Sequence, residues 1–214
     1  MPLGIVTGMA SEARAFGGSA LTVSAGGDPR ATRDGLANLI ARGADRLVSF
    51  GIAGALDPAL KPGDLVIGAA VHTPEGERLP VDQHWLAHLT TRLAQARIGD
   101  VVGSTEIVGR AARKAMLHRD TGALAVDQES HWVAEAAHAG RLPFIVIRAI
   151  ADRAGDELPP AVLVGLDRNG NPRTGAVLRA VLRNPLQIGA LIRVALQTRK
   201  ALRALLRGRT ALTL

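Results

Sequence analysis

Residues 124–157, LAVDQESHWVAEAAHAGRLPFIVIRAIADRAGDE, read as a strand, an acidic turn, a helix, a second strand and a second acidic turn. The pattern predicts the helix over His131–Ala139, with Gly140 just past its end and Pro143 unable to continue it. The apolar run Phe144–Ile150 is typical of a strand that is covered on both faces. This alternation of strands and helices indicates an α/β fold.

Two carboxylates lie where these strands end. Asp152 follows the second strand, and Glu129 lies near the start of the helix between the strands. Open α/β sheets hold ligands at the carboxyl ends of their strands, so both acids are candidates for one catalytic crevice. The alternative is that Glu129 is only an acid at a helix N-terminus and Asp152 only a turn former. Spacing alone leaves both interpretations open.

The rest of the chain carries further strand and helix patterns. Strands are predicted at Leu3–Thr7 and Arg46–Phe50, and a loop at Thr73–Pro80. A helix is predicted over Ala31–Arg42 and another over Ile107–Leu117. The first of these helices is expected to turn three apolar residues inward: Leu36, Leu39 and Ile40.

Three segments resemble those of a known family. Residues 125–130, AVDQES, and 148–152, RAIAD, are similar to the signature of the purine nucleoside phosphorylase and nucleosidase superfamily. Residues 4–12, GIVTGMASE, resemble the opening strand and acidic loop of the methylthioadenosine nucleosidases. Residues 49–57, SFGIAGALD, continuing to 61–67, KPGDLVI, resemble the second glycine-rich turn of those enzymes. Because the three motifs occur in the family's order, the resemblance is specific.

The resemblance implies a fold and a domain organisation. It implies a nucleoside phosphorylase-like domain, a three-layer α/β/α arrangement around a central, mixed and twisted sheet. We assign residues 1–175 to this catalytic domain and residues 176–214 to basic, amphipathic C-terminal helices that pack partly on it. Dimers are usual in the nucleosidase branch, so the resemblance also implies a homodimer.

The resemblance also implies roles for three acids. Asp152 would be the general acid toward the purine N7, Glu129 would bond the ribose hydroxyls, and Glu12 would orient or deprotonate water. Burial after an apolar strand is expected to raise the pKa of Asp152, which a general acid near neutral pH requires. Further residues are candidates for substrate binding: Gly51, Ile52, Ala53, Ile107, Val108 and Gln128.

The chain departs from the family at three positions of the motifs. Ala151 and Ile52 replace serines, and Gln128 replaces a methionine beside the ribose-binding glutamate. These changes remove polar groups on one side of the site and add one near the sugar, which favours an altered substrate. Within the superfamily the chain most resembles the hopanoid-associated phosphorylase group. That group is implied to release adenine from adenosylhopane and to leave ribosylhopane.

Several alternatives stay open at this point. Glu12 would repel a phosphate dianion, so hydrolysis is expected, with phosphorolysis of the same substrate as its nearest rival. A second alternative is an ordinary nucleosidase for methylthioadenosine or S-adenosylhomocysteine. A third is a non-catalytic protein that binds purines or associates with a membrane, although the presence of Glu12, Glu129 and Asp152 together argues against it.

Composition narrows the classes of partner. The chain of 214 residues has 47% hydrophobic residues, three Phe, two Trp, no Tyr and no Cys. So few aromatic rings argue against a platform for single-stranded nucleic acid, and the lack of cysteine excludes disulfides and thiolate metal sites. His84 and His88 have the spacing of metal ligands on a helix, but no third ligand accompanies them. We expect neither a metal nor another cofactor.

The positive charge of the chain is concentrated at its C-terminal end. Of the net charge of +7, residues 1–172 contribute 17 Lys or Arg against 19 Asp or Glu, and residues 173–214 contribute nine Lys or Arg and no acid. Apolar residues recur there at helical spacing, with Pro185 between two helices. Packing on the sheet explains the part before Pro185, whereas the basic part after it favours an anionic membrane surface.

The location of the protein follows from what its N-terminal segment lacks. The N-terminus MPLGIVTGM has no basic region ahead of a long apolar run, so no signal peptide is expected. We therefore predict a cytoplasmic protein, peripheral on the inner face of the membrane.

Overall fold

The structure, a computed structural model, describes residues 2–17, 21–24, 28–163, 179 and 187–212. Within these residues the strands form one mixed sheet. In chain order they are β1 (Leu3–Thr7), β2 (Leu21–Ser24), β3 (Arg46–Ala55), β4 (Leu65–His72), β5 (Arg78–Pro80), β6 (Arg97–Gly103), β7 (Ala125–Asp127) and β8 (Phe144–Asp152). The predicted α/β class with a mixed sheet is confirmed.

The sheet closes on itself around β8. The strand order is β2-β1-β3-β7-β6-β4-β5, and β8 pairs with β3 in parallel and with β4 in antiparallel orientation. Pairings of β3 with β7, β7 with β6 and β6 with β4 complete a circuit. Because β8 has a neighbouring strand on each side and is covered on both faces, all of its residues are buried. The buried strand predicted at Phe144–Ile150 is confirmed, and it continues to Asp152.

Seven helices accompany this sheet among the described residues. They are α1 (Ala10–Phe16), α2 (Pro29–Ala41), α3 (Gln83–Arg92), α4 (Ala111–Thr121), α5 (Ser130–Gly140), α6 (Pro160–Leu163) and α7 (Ile188–Leu212). Helix α2 packs on β1, β2 and α5, and α5 packs on β3 and β6. Helix α7 packs on β8, β3 and α1.

Helix α2 begins earlier than its apolar pattern indicates. The Asp28 carboxylate accepts hydrogen bonds from the amides of Arg30 and Ala31 at 2.9 and 3.0 Å, and a proline occupies the first turn. Both features favour a helix start at this point. Of its predicted inward residues, Leu36 and Leu39 are buried, but the prediction for Ile40 is wrong because its side chain is 37% exposed.

The end of helix α5 also differs from the prediction. Gly140 was expected just past the helix, but it is the last helical residue, and Arg141 takes the left-handed conformation at φ 52°. The Arg141 amide donates to the His138 carbonyl at 3.2 Å, and the Leu142 amide donates to the Ala137 carbonyl at 2.8 Å. Such bonds satisfy the last carbonyls of a helix. The residue before Pro143 must be extended, so the helix ends here.

Three other predicted element boundaries differ from those of the structure. Strand β3 does not stop at Phe50 but continues through the glycine-rich segment, because each residue there pairs with β8. The predicted loop Thr73–Pro80 contains β5, which pairs with β4. The predicted helix Ile107–Leu117 begins only at Ala111, so Ile107 and Val108 lie in the loop before it.

Helix α7 is a packed element of the domain. It buries a stripe of small and apolar residues, namely Ala201, Ala204, Leu205, Gly208 and Ala211. A methyl group at Gly208 would press on Ile147 of β8, so the helix approaches the sheet closely there. Part of the segment after Pro185, where the basic charge favoured a membrane surface, therefore packs on the domain. Pro185 itself and the boundary between residues 175 and 176 lie outside the described residues.

Candidate active site

A cavity of about 540 Å³ opens where β1, β3, β7 and β8 end. Eight of the predicted site residues line it: Glu12, Ile52, Ala53, Ile107, Val108, Gln128, Glu129 and Asp152. Gly51 does not line it. A methyl group at Gly51 would instead overlap Arg148 and Glu12, so this position lets the buried charged groups approach the strand.

Glu12 is held by backbone amides at both oxygens. It lies in the first turn of α1, where Oε2 accepts from the Met9 amide at 2.7 Å and Oε1 accepts from the Ile52 amide at 2.8 Å. Its side chain is buried, which raises the pKa, while the Ile52 amide and Arg148 act in the opposite direction. Glu12 is thus a fixed carboxyl group whose pKa is raised above its ordinary value.

Glu129 lies opposite Glu12 at the start of α5. Its carboxylate packs on Gly8, where a methyl group would overlap Oε1. Burial raises the pKa of Glu129 to about 8, and the nearby Arg148 opposes that rise. The chain before it is fixed by Asp127, whose Oδ1 accepts from the amides of Glu129 and Ser130 at 3.0 and 2.8 Å.

Arg148 is a buried cation beneath these acids. Its Nε bonds Asp127, and one terminal nitrogen, Nη2, bonds the hydroxyls of Ser49 and Ser130. The other, Nη1, has no hydrogen-bond partner among the described residues. A charged residue is rarely fully buried unless it is paired. In the sequence, Arg148 stands out as a charged residue inside the apolar run FIVIRAI. It also belongs to the RAIAD motif, but no role was assigned to it from the sequence.

Asp152 ends β8 on another wall of the cavity, close to the backbone of Gly54. Its Oδ2 bonds the ammonium group of Lys114, a fully buried residue of α4. Burial raises the pKa of Asp152, and the contact with Lys114 opposes that rise. In the sequence, Lys114 appears only as a charge on a helix face, so this contact was missed.

The remaining wall is apolar and comes from the C-terminal part of the chain. Leu158 and Val162 lie on one side of it, and α7 contributes Leu191, Val194, Ala195 and Thr198. The spacing of these α7 residues places them along one face of the helix. The sequence indicated the amphipathic helix but not that this helix lines the site.

No group of three or more His, Asp or Glu side chains suited to a metal occurs in the part of the chain that the structure describes. His84 and His88 lie on α3 and line a separate cavity near the starts of β3 and β8. None of the described helices is long and apolar enough to cross a bilayer.

Comparison with curated proteins gives two kinds of relative. The chain is 33% identical over 130 residues to a futalosine hydrolase of Streptomyces coelicolor, covering 52% of this chain and 55% of that protein. It is 30% identical over 129 residues to a 5'-methylthioadenosine/S-adenosylhomocysteine nucleosidase of Staphylococcus haemolyticus, covering 50% and 57%. The chain thus matches little more than half the length of these relatives.

Solved structures share the fold over nearly the whole chain. The nucleosidase of the same name from Neisseria meningitidis, in complex with methylthio-immucillin-A, aligns with a TM-score of 0.73 at 17% identity, covering 98% of this chain and 96% of that one. The enzyme from S. pneumoniae aligns with a TM-score of 0.67 at 18% identity over both whole chains. The model of the phosphorylase superfamily matches residues 17–183. By this match the chain belongs to the phosphorylase superfamily.

Proposed function

We propose that this protein cleaves the N-glycosidic bond of an adenine nucleoside and releases adenine. The observation that carries the proposal is the convergence of Glu12, Glu129 and Asp152 on one cavity. Their places agree with the roles that the family resemblance implies. The futalosine hydrolase and the nucleosidases among the relatives support a hydrolytic activity.

The three acids suit the three tasks of this reaction. Bond cleavage leaves a sugar that resembles an oxocarbenium ion, so the departing base must be protonated, the sugar must be held and a nucleophile must be positioned. Asp152 protonates the purine N7, because burial raises its pKa. Glu129 bonds the ribose hydroxyls, and Glu12 orients and deprotonates the attacking water.

Water is a better nucleophile for this cavity than phosphate. Its described lining carries the carboxyl groups of Glu12, Glu106, Asp127, Glu129 and Asp152 and no lysine or arginine. A phosphate dianion would find no cation to pair with in this lining, whereas the Glu12 carboxyl group can orient a water molecule. Hydrolysis is therefore the proposed reaction, and phosphorolysis is its rival.

The apolar wall supports a hydrocarbon substituent on the substrate. Leu191, Val194 and Ala195 of α7 and the neighbouring Leu158 and Val162 offer no charged partner to a sugar substituent. Ile52 adds a further apolar group where the family has a serine. We infer that the substrate is adenosylhopane, whose C5′ position bears a polycyclic hydrocarbon, and that ribosylhopane is the second product.

The outer face of α7 supports a location on the membrane. Ile188, Ile192 and Leu196 are 46%, 56% and 62% exposed and lie on one side of the helix. Exposed Arg193 and Arg199 flank them, and each basic residue near an anionic surface contributes about 1 kcal/mol. We infer a cytoplasmic enzyme that binds the inner membrane face through α7. A homodimer, as implied by the nucleosidase branch, stays a prediction.

The proposed reaction is tested by offering purified protein adenosylhopane and methylthioadenosine, with and without phosphate, and following adenine by chromatography. We expect adenine from adenosylhopane at the higher kcat/KM and at the same rate without phosphate. A ribose 1-phosphate product would show phosphorolysis. Preference for methylthioadenosine would show an ordinary nucleosidase.

A further inference from the structure

Lys114 is a buried ammonium group directly behind the proposed general acid. It lies on α4, its side chain is fully buried, and it is not part of the cavity lining. Its Nζ donates to Asp152 Oδ2, to the Arg153 carbonyl at 2.9 Å and to the Asp156 carbonyl at 3.0 Å. Lysine is rarely buried so completely unless its charge is paired. This position therefore has a specific partner, and that partner is Asp152.

The three acceptors around Nζ suit two protonation states. A lysine ammonium has three N–H donors, one for each acceptor. If one proton moves to Asp152, the neutral amine keeps two N–H groups for the two carbonyls. Its lone pair then accepts a hydrogen bond from the carboxyl O–H. No hydrogen bond is lost in either state, so the geometry lets the proton reside on either side chain.

The surroundings of Asp152 act on its pKa in opposite directions. Burial raises the pKa of Asp152, Lys114 opposes the rise, and Asp156 adds to it. The Asp156 carboxylate is itself bonded by the Arg153 amide at 3.0 Å and by Gln197 of α7 at 3.1 Å. On the α4 side, Glu157 bonds the amide at the start of the helix. Glu12 and Glu129 line the same cavity and are protonated more readily than usual because both are buried.

We propose that Lys114 shares its proton with Asp152, so that the acid in the cleavage reaction is the pair and not Asp152 alone. This inference rests on the proposed function. As the bond between C1′ and the purine breaks, its electron pair passes to the purine, and N7 takes a proton from one oxygen of Asp152. Asp152 receives this proton from Lys114 Nζ, so the step leaves Asp152 as a carboxylate and Lys114 as a neutral amine. Solvent returns that proton to the amine after adenine leaves.

Lys114 is thus a positioning residue that acts through Asp152, and two substitutions should move the reaction in opposite directions. Lys114→Arg keeps a cation that does not give up its proton, and it holds Asp152 ionised. The alkaline fall of kcat should then begin about one pH unit or more lower, and kcat at pH 7 should drop roughly tenfold or more. Lys114→Met removes the cation, so the cation no longer opposes the rise that burial causes in the pKa of Asp152. The alkaline fall should then begin about one pH unit or more higher.

The control is Arg113→Met, which removes an exposed cation next to Lys114 on the same helix. Its pH profile should match that of the unaltered protein. If Lys114 only supported the structure, Lys114→Arg would restore an unshifted profile, and this result would overturn the proposal. An unshifted profile in Lys114→Met would overturn it as well.

Infrared titration of the protein without substrate separates this inference from the proposed function. The carboxyl C=O band of Asp152, assigned by its loss in Asp152→Asn, reports protonation whether or not adenine is released. The titration midpoint should rise in Lys114→Met and fall in Lys114→Arg. Unmoved midpoints in both folded variants, checked by circular dichroism, would reject the shared proton even if the protein is an active nucleosidase.

Discussion

The Ile52 amide donates a hydrogen bond of 2.8 Å to Glu12 Oε1 and so joins the glycine-rich end of β3 to the acid at the start of α1. The Met9 amide holds the other oxygen at 2.7 Å. Residues of two separate sequence motifs therefore fix one carboxylate, which is 2% exposed. A group held in this way is pre-organised to orient a water molecule.

Replacing Glu12 by Gln should remove the proposed base and keep its shape. The amide oxygen can still accept from the Ile52 amide, whereas the amide nitrogen faces the Met9 amide and takes no proton from water. We expect turnover of a soluble adenine nucleoside to fall roughly a hundredfold or more, with KM changed much less. Steady-state adenine release measures both. Glu75→Gln, at an exposed acid, is the matched control, and turnover near that of the control in Glu12→Gln would contradict the role.

Glu129 should make the folded state less stable as the pH rises. Its folded pKa of about 8 lies above its ordinary value of 4.5, so the folded state binds the extra proton. The free energy of unfolding therefore falls between those two pH values, by ~1.4 kcal/mol for each unit of pKa difference. The side chain in Glu129→Gln stays neutral at every pH. The variant should therefore have a higher free energy of unfolding than the unaltered protein at pH 9, and the two values should be closer at pH 5.

Urea denaturation at the two pH values tests this. The gain in stability at pH 9 should be absent in Glu75→Gln, a control at an exposed residue. Equal free energies of unfolding for Glu129→Gln and the unaltered protein at pH 9 would mean that Glu129 is not a buried carboxylate there.

Arg148 should contribute strongly to stability through its pair with Asp127. Arg148→Met leaves a buried carboxylate without its cation, which typically costs about 3–5 kcal/mol. Adding Asp127→Asn to this variant should recover part of the loss, because the unpaired charge is then gone. Urea denaturation of Arg148→Met, of Asp127→Asn and of the double variant measures these losses. A double variant that loses the full sum of the single losses would show that the two residues do not act as a pair.

The outer face of α7 should bind anionic lipid through Ile192. Glutamate at this position adds a negative charge and removes apolar surface, so we expect binding of Ile192→Glu to anionic vesicles to weaken roughly tenfold or more. Co-sedimentation with vesicles measures this. Ile98→Glu is the control, because Ile98 is 46% exposed on β6 and lies on a different element. Equal loss in both variants, or no vesicle binding by the unaltered protein, would reject the surface.

The sequence motifs located the acids but not their partners. Glu12, Glu129 and Asp152 lie at strand ends and helix starts, and they were identified because these segments resemble motifs of the family. Lys114 was missed because its contact with Asp152 joins residues 38 positions apart, and a lysine on a helix normally faces solvent. The prediction that Ile40 faces inward was wrong because the helical period defines an apolar face only to within about one residue.

The role proposed for Asp152 is to protonate the adenine that leaves adenosylhopane. Its most direct test is adenine release from vesicle-dispersed adenosylhopane by the unaltered protein, by Asp152→Asn and by Asp120→Asn, an exposed control. The unaltered protein and the control should release adenine without phosphate, and folded Asp152→Asn should be slower by roughly a hundredfold or more. Near-normal release by folded Asp152→Asn would contradict the account.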